Sequence, residues 1–273
     1  MCRSTSCDPP ASIDWDRPWL AHLVNLRAAF CVADRRAELS RIARERGVVS
    51  GSGAGLSFAP ESSAGEPYEL HIARTGRVPT RDNLHDLFNA AVWLTLPRTK
   101  AALNARQAQC IAVAAMAGGR GARGAVRDAA TLFDESGLIV AVGARAAGEC
   151  DLRERIASHD WQTVFQARRA HWHRDWAPWL FGHAVMEKLV RPYAAITVRV
   201  GVVIVDDGDP HDLAAVDAAA AAAFAREESW SPMSLPPMPV LGIPGWWPVN
   251  ASPRFYEDER VFRPRRWASP DRR

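Results

Sequence analysis

Two histidines, each followed four residues later by a second polar side chain, are the places where this chain could do chemistry. His85 and Asn89 stand in "TRDNLHDLFNAAVWL", and His183 and Glu187 stand in "WAPWLFGHAVMEKLVRPY". Residues four apart share one side of a helix. Around the first pair, Leu84, Leu87, Phe88, Ala91 and Leu94 form a broad apolar arc, while Val92, Trp93 and Leu96 close in from the other side. Around the second, Phe181, Val185 and Leu189 make the far side apolar too. Both segments therefore read as core helices that keep a polar stripe. A buried polar group without a partner costs about 1–3 kcal/mol, and a carboxylate costs more unless it is paired or metal-bound. Imidazole nitrogens and carboxylate oxygens suit zinc, manganese or iron. The expected ligands of such a divalent metal are His85, His183 and Glu187, with Asn89 in the same polar core. Asp86, Asp134 and Glu135 are the candidate catalytic carboxylates, one of which would act as general base. The chemistry would be attack of a metal-activated water on an ester, phosphoester or amide.

Two other readings compete. The spacing HxxxE is a much weaker signal than HExxH, and the same side chains can satisfy one another in a hydrogen-bond network of a non-catalytic structural or interaction protein. The third reading uses Arg98, Lys100, Arg106, Arg120, Arg123 and Arg127, a basic run without an acidic residue. Arg98, Lys100 and Arg106 would then contact the phosphates of a nucleic acid or small ligand. No RRM, KH, helix-turn-helix or zinc-finger pattern supports nucleic acid. His171 and His173 of "HWH" diverge by about 200° in a helix, so they make a poor metal pair and read as surface or interface residues.

Composition narrows the class. The chain has 273 residues, 48% hydrophobic and 24% charged, with a formal charge of +3. Those values describe a globular protein with an unremarkable charge. Eleven tryptophans promise a large aromatic core in which each indole N–H needs a partner. Five widely spaced cysteines with no CxxC pair point to a reducing compartment. Cys31 and Cys110 read as small core residues. No apolar signal region opens the chain, and "AAITVRVGVVIV" is too short for a span and contains Arg199. A cytoplasmic protein without a membrane partner is expected. There is no GxGxxG after a strand, no GxxxxGK[ST] and no GxSxG, which counts against dinucleotide binding, P-loop chemistry and the usual α/β-hydrolase mechanism.

The elements that must position the polar stripes are mostly helical. Residues 13–46 carry a helical pattern closed by Gly47, and 47–66 read as a Gly/Ser/Pro-rich loop. A short helix in "YELHIARTGRV" ends at Gly76. Thr80 is placed as the N-cap of the His85 helix, and Pro97 breaks that helix before the next one begins. "TLF" and "LIVAV" flank "DESG" as a β-hairpin, which makes turn chemistry the plainer role of Asp134 and Glu135. Residues 151–191 read as two or three helical pieces, with Pro178 in the first turn of the last. "AAITVRVGVVIVDD" reads as a strand, and an alanine-rich helix starts after Asp209 or Pro210. From Ser231 the prolines forbid regular helix and central strand, so an extended Pro/Trp-rich strap must dock through Val240, Leu241, Ile243, Trp246 and Trp247. The expected fold is α+β, a mostly α-helical single domain over 13–264 with a small antiparallel sheet and mobile termini at 1–12 and 265–273.

Laid out in this order, the chain resembles the bacterial family called domain of unknown function 3025. The resemblance rests on "TGRVPTRDNLHDLFNAAVWLTLPRTKAALNARQA", "GARGAVRDAATLFDESG", "FGHAVMEKLVRPY" and "PVLGIPGWWPVNASPRFYEDERVFRP", and "IDWDRPW" also fits. It implies no particular activity. It does imply that His85, Asp86, Asn89, Lys100, Asn104, Asp128, Asp134, Glu135, His183, Glu187 and Lys188 fall inside family motifs. In "GIPGWWPVN" the two tryptophans would pin the strap to the core, or alternatively cap a pocket.

Overall fold

The structure, a computed structural model, describes residues 12–60, 65–116, 124–147, 151–206, 208–226 and 230–265. In chain order its helices and strands are α1 (Arg27–Phe30), α2 (Arg35–Glu45), β1 (Ser57–Ala59), α3 (Tyr68–Thr75), β2 (Arg77–Pro79), α4 (Leu84–Thr95), α5 (Pro97–Met116), α6 (Ala125–Ser136), β3 (Gly137–Gly143), α7 (Ala144–Ala147), α8 (Leu152–Ala157), β4 (Trp176–Leu180), α9 (His183–Lys188), β5 (Thr197–Val205), α10 (Leu213–Arg226) and β6 (Pro237–Pro239). The class is α+β and mostly helical, as the periodicity implies.

Two local rules explain the helices nearest the polar stripes. α4 is capped by Asn83, whose side-chain oxygen accepts the Asp86 N–H at 2.8 Å. Thr80 instead turns inward and donates its hydroxyl to the Val78 carbonyl at 2.9 Å, so the N-cap lies three residues later than expected. α5 starts on Pro97, whose missing N–H is no loss in a first turn. Its next two N–H groups, of Arg98 and Thr99, are accepted by the Asp217 carboxylate of α10 at 2.9 and 2.8 Å. This cap comes from a distant helix and ties α10 to the start of α5.

The main sheet has the order β4-β3-β5-β6. β3 runs parallel to β5, with Leu138 opposite Val200, and antiparallel to β4, with Leu138 also opposite Leu180. The sheet is thus mixed, not antiparallel, and the expected hairpin across "DESG" does not form. Asp134, Glu135 and Ser136 are the last turn of α6, which passes directly into β3. "LIVAV" is buried on both faces, and a short apolar run of that kind does not reveal its pairing partner. β4 is a strand where a helix was expected. Pro178 fits there because β4 is an edge strand, where a missing donor is tolerated. The prolines of β6 occupy the opposite edge for the same reason. Inside 47–66, β1 pairs in parallel with β2.

One apolar core cluster includes residues from Ile13 to Phe262. The strap is less extended than its prolines suggest. After β6 it folds into short 3-10 turns, and Val240, Leu241, Ile243 and Trp246 are buried. Trp246 lies against Trp19 with ring centroids 6.3 Å apart, which pins the strap. The indoles of Trp161, Trp172 and Trp179 each donate to a backbone carbonyl, whereas the buried Trp19 N–H finds no acceptor among the described residues. Cys31 is exposed and Cys110 half-buried, so neither is the core residue expected. Cys2, Cys7, Cys150 and the outermost parts of both termini lie outside the described residues. Among those that are described, no helix is long and apolar enough to cross a membrane.

Candidate metal centre

Three helices bring the polar residues together. α4 carries His85 in its first turn, α6 carries Asp134 and Glu135 in its last, and α9 opens with His183. α6 and α9 meet at a backbone contact. The Phe181 and Gly182 N–H groups both donate to the Gly137 carbonyl, at 3.0 and 2.8 Å. A Cβ on Gly182 would lie 2.4 Å from the Ser136 Cα, so only glycine permits this approach. The contact sets His183 beside the end of α6. Neighbouring helical residues point about 100° apart, which explains why Asp134 and Glu135 serve different partners.

The two imidazoles face each other. His85 Nε2 and His183 Nε2 are 3.1 Å apart, with ring centroids at 4.5 Å. Glu135 Oε2 lies 3.5 Å from His183 Nε2 and 4.0 Å from His85 Nε2. Ligand atoms about 2.0–2.2 Å from a tetrahedral zinc sit about 3.3 Å from one another, and these three separations bracket that value. The other ring nitrogens point outward to carboxylates. His85 Nδ1 is 3.3 Å from Glu187 Oε2. His183 Nδ1 is buried without a hydrogen-bond partner among the described residues, and Asp134 Oδ2 lies 4.0 Å from it. Glu187 thus stands behind His85, and Glu135 occupies the position beside both Nε2 atoms.

Behind the trio runs a buried chain of polar groups. Lys100, only 4% exposed, donates to Asp134 Oδ1 at 2.5 Å and to Asn89 Oδ1 at 2.7 Å. Asn89 in turn donates to the Tyr68 hydroxyl at 3.0 Å. Asn89 therefore holds the lysine instead of facing the histidines. Asp86 is occupied elsewhere: its carboxylate accepts the Arg81 backbone N–H at 2.7 Å and the Arg81 Nε at 2.9 Å.

The site forms part of the wall of a cavity of about 590 Å³. His183 is at the back, while His85 and Glu135 are about a third or more exposed at its mouth. The same wall includes Glu69, Arg81, Asp86, Gln107, Arg127 and Thr131. Glu69 accepts the Asn104 amide at 2.7 Å and, in the amide orientation that satisfies both Gln107 atoms, Gln107 at 2.9 Å. Sequence reasoning missed it because a lone glutamate in the first turn of a short helix is ordinary on a solvated face. It also lies outside the motifs that carry the family resemblance, the first of which after "IDWDRPW" begins at Thr75.

Burial dominates the electrostatics. It lowers the His183 pKa to about 4; Lys100 and His85 add to the effect and Asp134 opposes it. Burial also pushes Asp134 upward, but Lys100, His183 and His85 together hold it below the ordinary value. Glu135 is raised by burial, then by Asp134. Glu69 is raised to about 7 by burial and by Asp134, against the pull of Lys100, Asn104 and Arg127. Near neutrality, then, the back of the site offers a neutral imidazole, which is the form that binds metals.

Among the described residues, the basic run does not form one surface. Lys100 is inside the protein, so it is not available to a surface phosphate. Arg98 is exposed, and Arg106 donates to the Ala225 carbonyl at 2.9 Å. Arg120 and Arg123 lie outside the described residues. His171 pairs with Asp175 at 2.7 Å and His173 with the Pro244 carbonyl at 2.7 Å, apart from one another.

Comparison with known proteins matches residues 56–266 to the family described as protein of unknown function (DUF3025). No curated protein and no solved structure matches the chain. The matched stretch includes every residue of the trio and its supporting chain, and the chain belongs to this family.

Proposed function

We propose that this member of the DUF3025 family is a metal-dependent hydrolase in which His85, His183 and Glu135 hold a divalent cation. The observation that carries the reading is the convergence of these three ligand atoms, all within 4.8 Å of one another, from three separate helices on a cavity wall. Two histidines and one carboxylate leave coordination positions open, as catalytic zinc, manganese or iron sites require. A bound ion would supply Lewis-acid activation of water and of the scissile group.

The remaining roles fall to the chain. Glu187 holds the Nδ1 proton of His85 and so turns its Nε2 lone pair toward the ion. Asp134, fixed by Lys100, stands on the corresponding side of His183. With Asp86 bound to Arg81, the proton-transfer role falls to Glu69, a cavity carboxyl that burial raises to about 7. The substrate bond is an ester, phosphoester or amide in a molecule small enough for the cavity.

One observation favours the competing reading. The His85 and His183 Nε2 atoms at 3.1 Å can also share a single proton as a plain hydrogen bond, within a structural network that needs no ion. Elemental analysis of chelator-free protein separates the two. The hydrolase reading expects about one metal per chain, lost in His183→Ala and Glu135→Ala while circular dichroism is unchanged. It also expects hydrolysis in a screen of ester, phosphoester and amide substrates. Absence of metal from wild type after incubation with zinc, manganese and ferrous iron would overturn it.

A further inference from the structure

Among the described residues, one arginine on the cavity wall has no hydrogen-bonded or ion-paired partner. Arg127 is half-buried on that wall and forms no hydrogen bond or ion pair among the described residues. The other charged residues that line the cavity are held elsewhere: Arg81 pairs with Asp86, Asp134 with Lys100, and Glu135 stands beside the two imidazoles at the far end of the wall. Glu69 feels the charge of Arg127, but no hydrogen bond joins them, and the two Glu69 oxygens accept the Asn104 and Gln107 amides.

The place of Arg127 on α6 adds a direction. Arg127, Thr131 and Glu135 follow one another at intervals of four, so they form one stripe along the helix, and all three line the cavity. Arg127 begins the stripe and Glu135, the ligand of the trio, ends it. Eight residues of helix separate their backbones by about 12 Å. The Thr131 hydroxyl lies between them on the same wall. A planar guanidinium with open donors at one end of a cavity, and a candidate metal-ligand set at the other, suits a molecule with an oxyanion at one end and a reactive group at the other.

We propose that Arg127 anchors an anionic group of the substrate, so that the ligand of this cavity is a small molecule bearing a carboxylate or phosphate about two helical turns from the bond that is cleaved. The cleavage part rests on the hydrolase reading; the anion binding does not.

The test is titration calorimetry of metal-free, chelator-treated protein with inorganic phosphate and, separately, with succinate. Omitting the metal keeps the anion from binding to an ion instead of to the arginine. Wild type is expected to bind at least one probe, and the one it prefers identifies the group as phosphate or carboxylate. Arg127→Gln should weaken that binding by about tenfold or more, since a charge-assisted hydrogen-bonded pair is lost, with Arg127→Lys between the two. Thr131→Val should weaken it less. Circular dichroism and metal uptake should be unchanged in Arg127→Gln. If neither probe binds, or if the preferred probe binds Arg127→Gln as well as wild type, the proposal fails. A failure of metal uptake by wild type would overturn the hydrolase reading and leave this result standing on its own.

Discussion

His85 and His183, 98 residues apart in sequence, meet Nε2 to Nε2 at 3.1 Å. Each turns its other ring nitrogen toward a carboxylate, Glu187 for His85 and Asp134 for His183. Two imidazoles so placed can share a proton or a cation, but both cannot be charged without repulsion. Burial of His183, which lowers its pKa to about 4, selects the neutral form there.

Glu187→Gln tests the orienting carboxylate. The amide can still touch His85 Nδ1 but no longer supplies a charged acceptor. Metal affinity should fall about 10–100-fold, without the complete loss expected of His183→Ala. Calorimetric titration with zinc measures it, and an unchanged affinity would remove Glu187 from the site.

Lys100→Met tests the buried chain. It strands Asp134 and Asn89 without their cation, and breaking a buried pair from one side costs about 3–5 kcal/mol. Urea denaturation should show that loss in the single variant. Lys100→Met combined with Asp134→Asn should recover part of it, because the uncompensated charge is gone. Equal stability of wild type and Lys100→Met would mean that the pair contributes nothing.

Gly182→Ala tests the joint between α6 and α9. Gly182 has φ −65, so alanine suffers no backbone penalty there. The cost comes from its methyl, which would lie 2.4 Å from Ser136 Cα. Overpacking of this kind destabilises by about 1–3 kcal/mol, and it should shift His183 enough to weaken metal binding as well. Stability and affinity that both match wild type would show that the close approach can relax.

Glu69 gives the pH dependence its sign. Its folded pKa is raised from 4.5 to about 7, so the folded chain keeps a proton that the unfolded chain has lost across that window. Stability from this group is therefore present below about pH 4.5 and declines as the pH rises towards 7. Glu69→Gln should remove the decline. Its stability relative to wild type should be about 1–2 kcal/mol better at pH 8 than at pH 4.5, read from denaturant curves at the two values. Curves that differ by the same amount at both would contradict the shift.

Much of the fold was legible where the signals are local. The Pro97 break, the αL glycine after "YELHIART", the β-branched strand at 197–205 and the alanine-rich helix all rest on backbone preferences of a few residues. "LIVAV" is the strand its sequence suggests, but "TLFDES" ends helix α6 instead of forming a strand and turn, and "WAPWL" is a strand instead of a helix, because what decides these segments is not local. A short apolar segment can be helix or strand until its neighbours are known, and a proline in a strand is acceptable only if that strand lies at an edge.

The candidate site divides the same way. Helical periodicity put His85 and Asn89 on one stripe and His183 and Glu187 on another, and the cost of burying polar groups marked both as places needing partners. By itself the sequence determined that there were two such stripes, because an interval of four residues is a property of a single helix. Which members of each stripe meet was decided only by tertiary structure. The approach of Gly182 to Ser136 set His183 beside Glu135. Lys100, from α5, claimed Asn89 and Asp134, Arg81 claimed Asp86, and Glu187 was left behind His85. Those choices depend on distances between helices, which no spacing along one helix encodes.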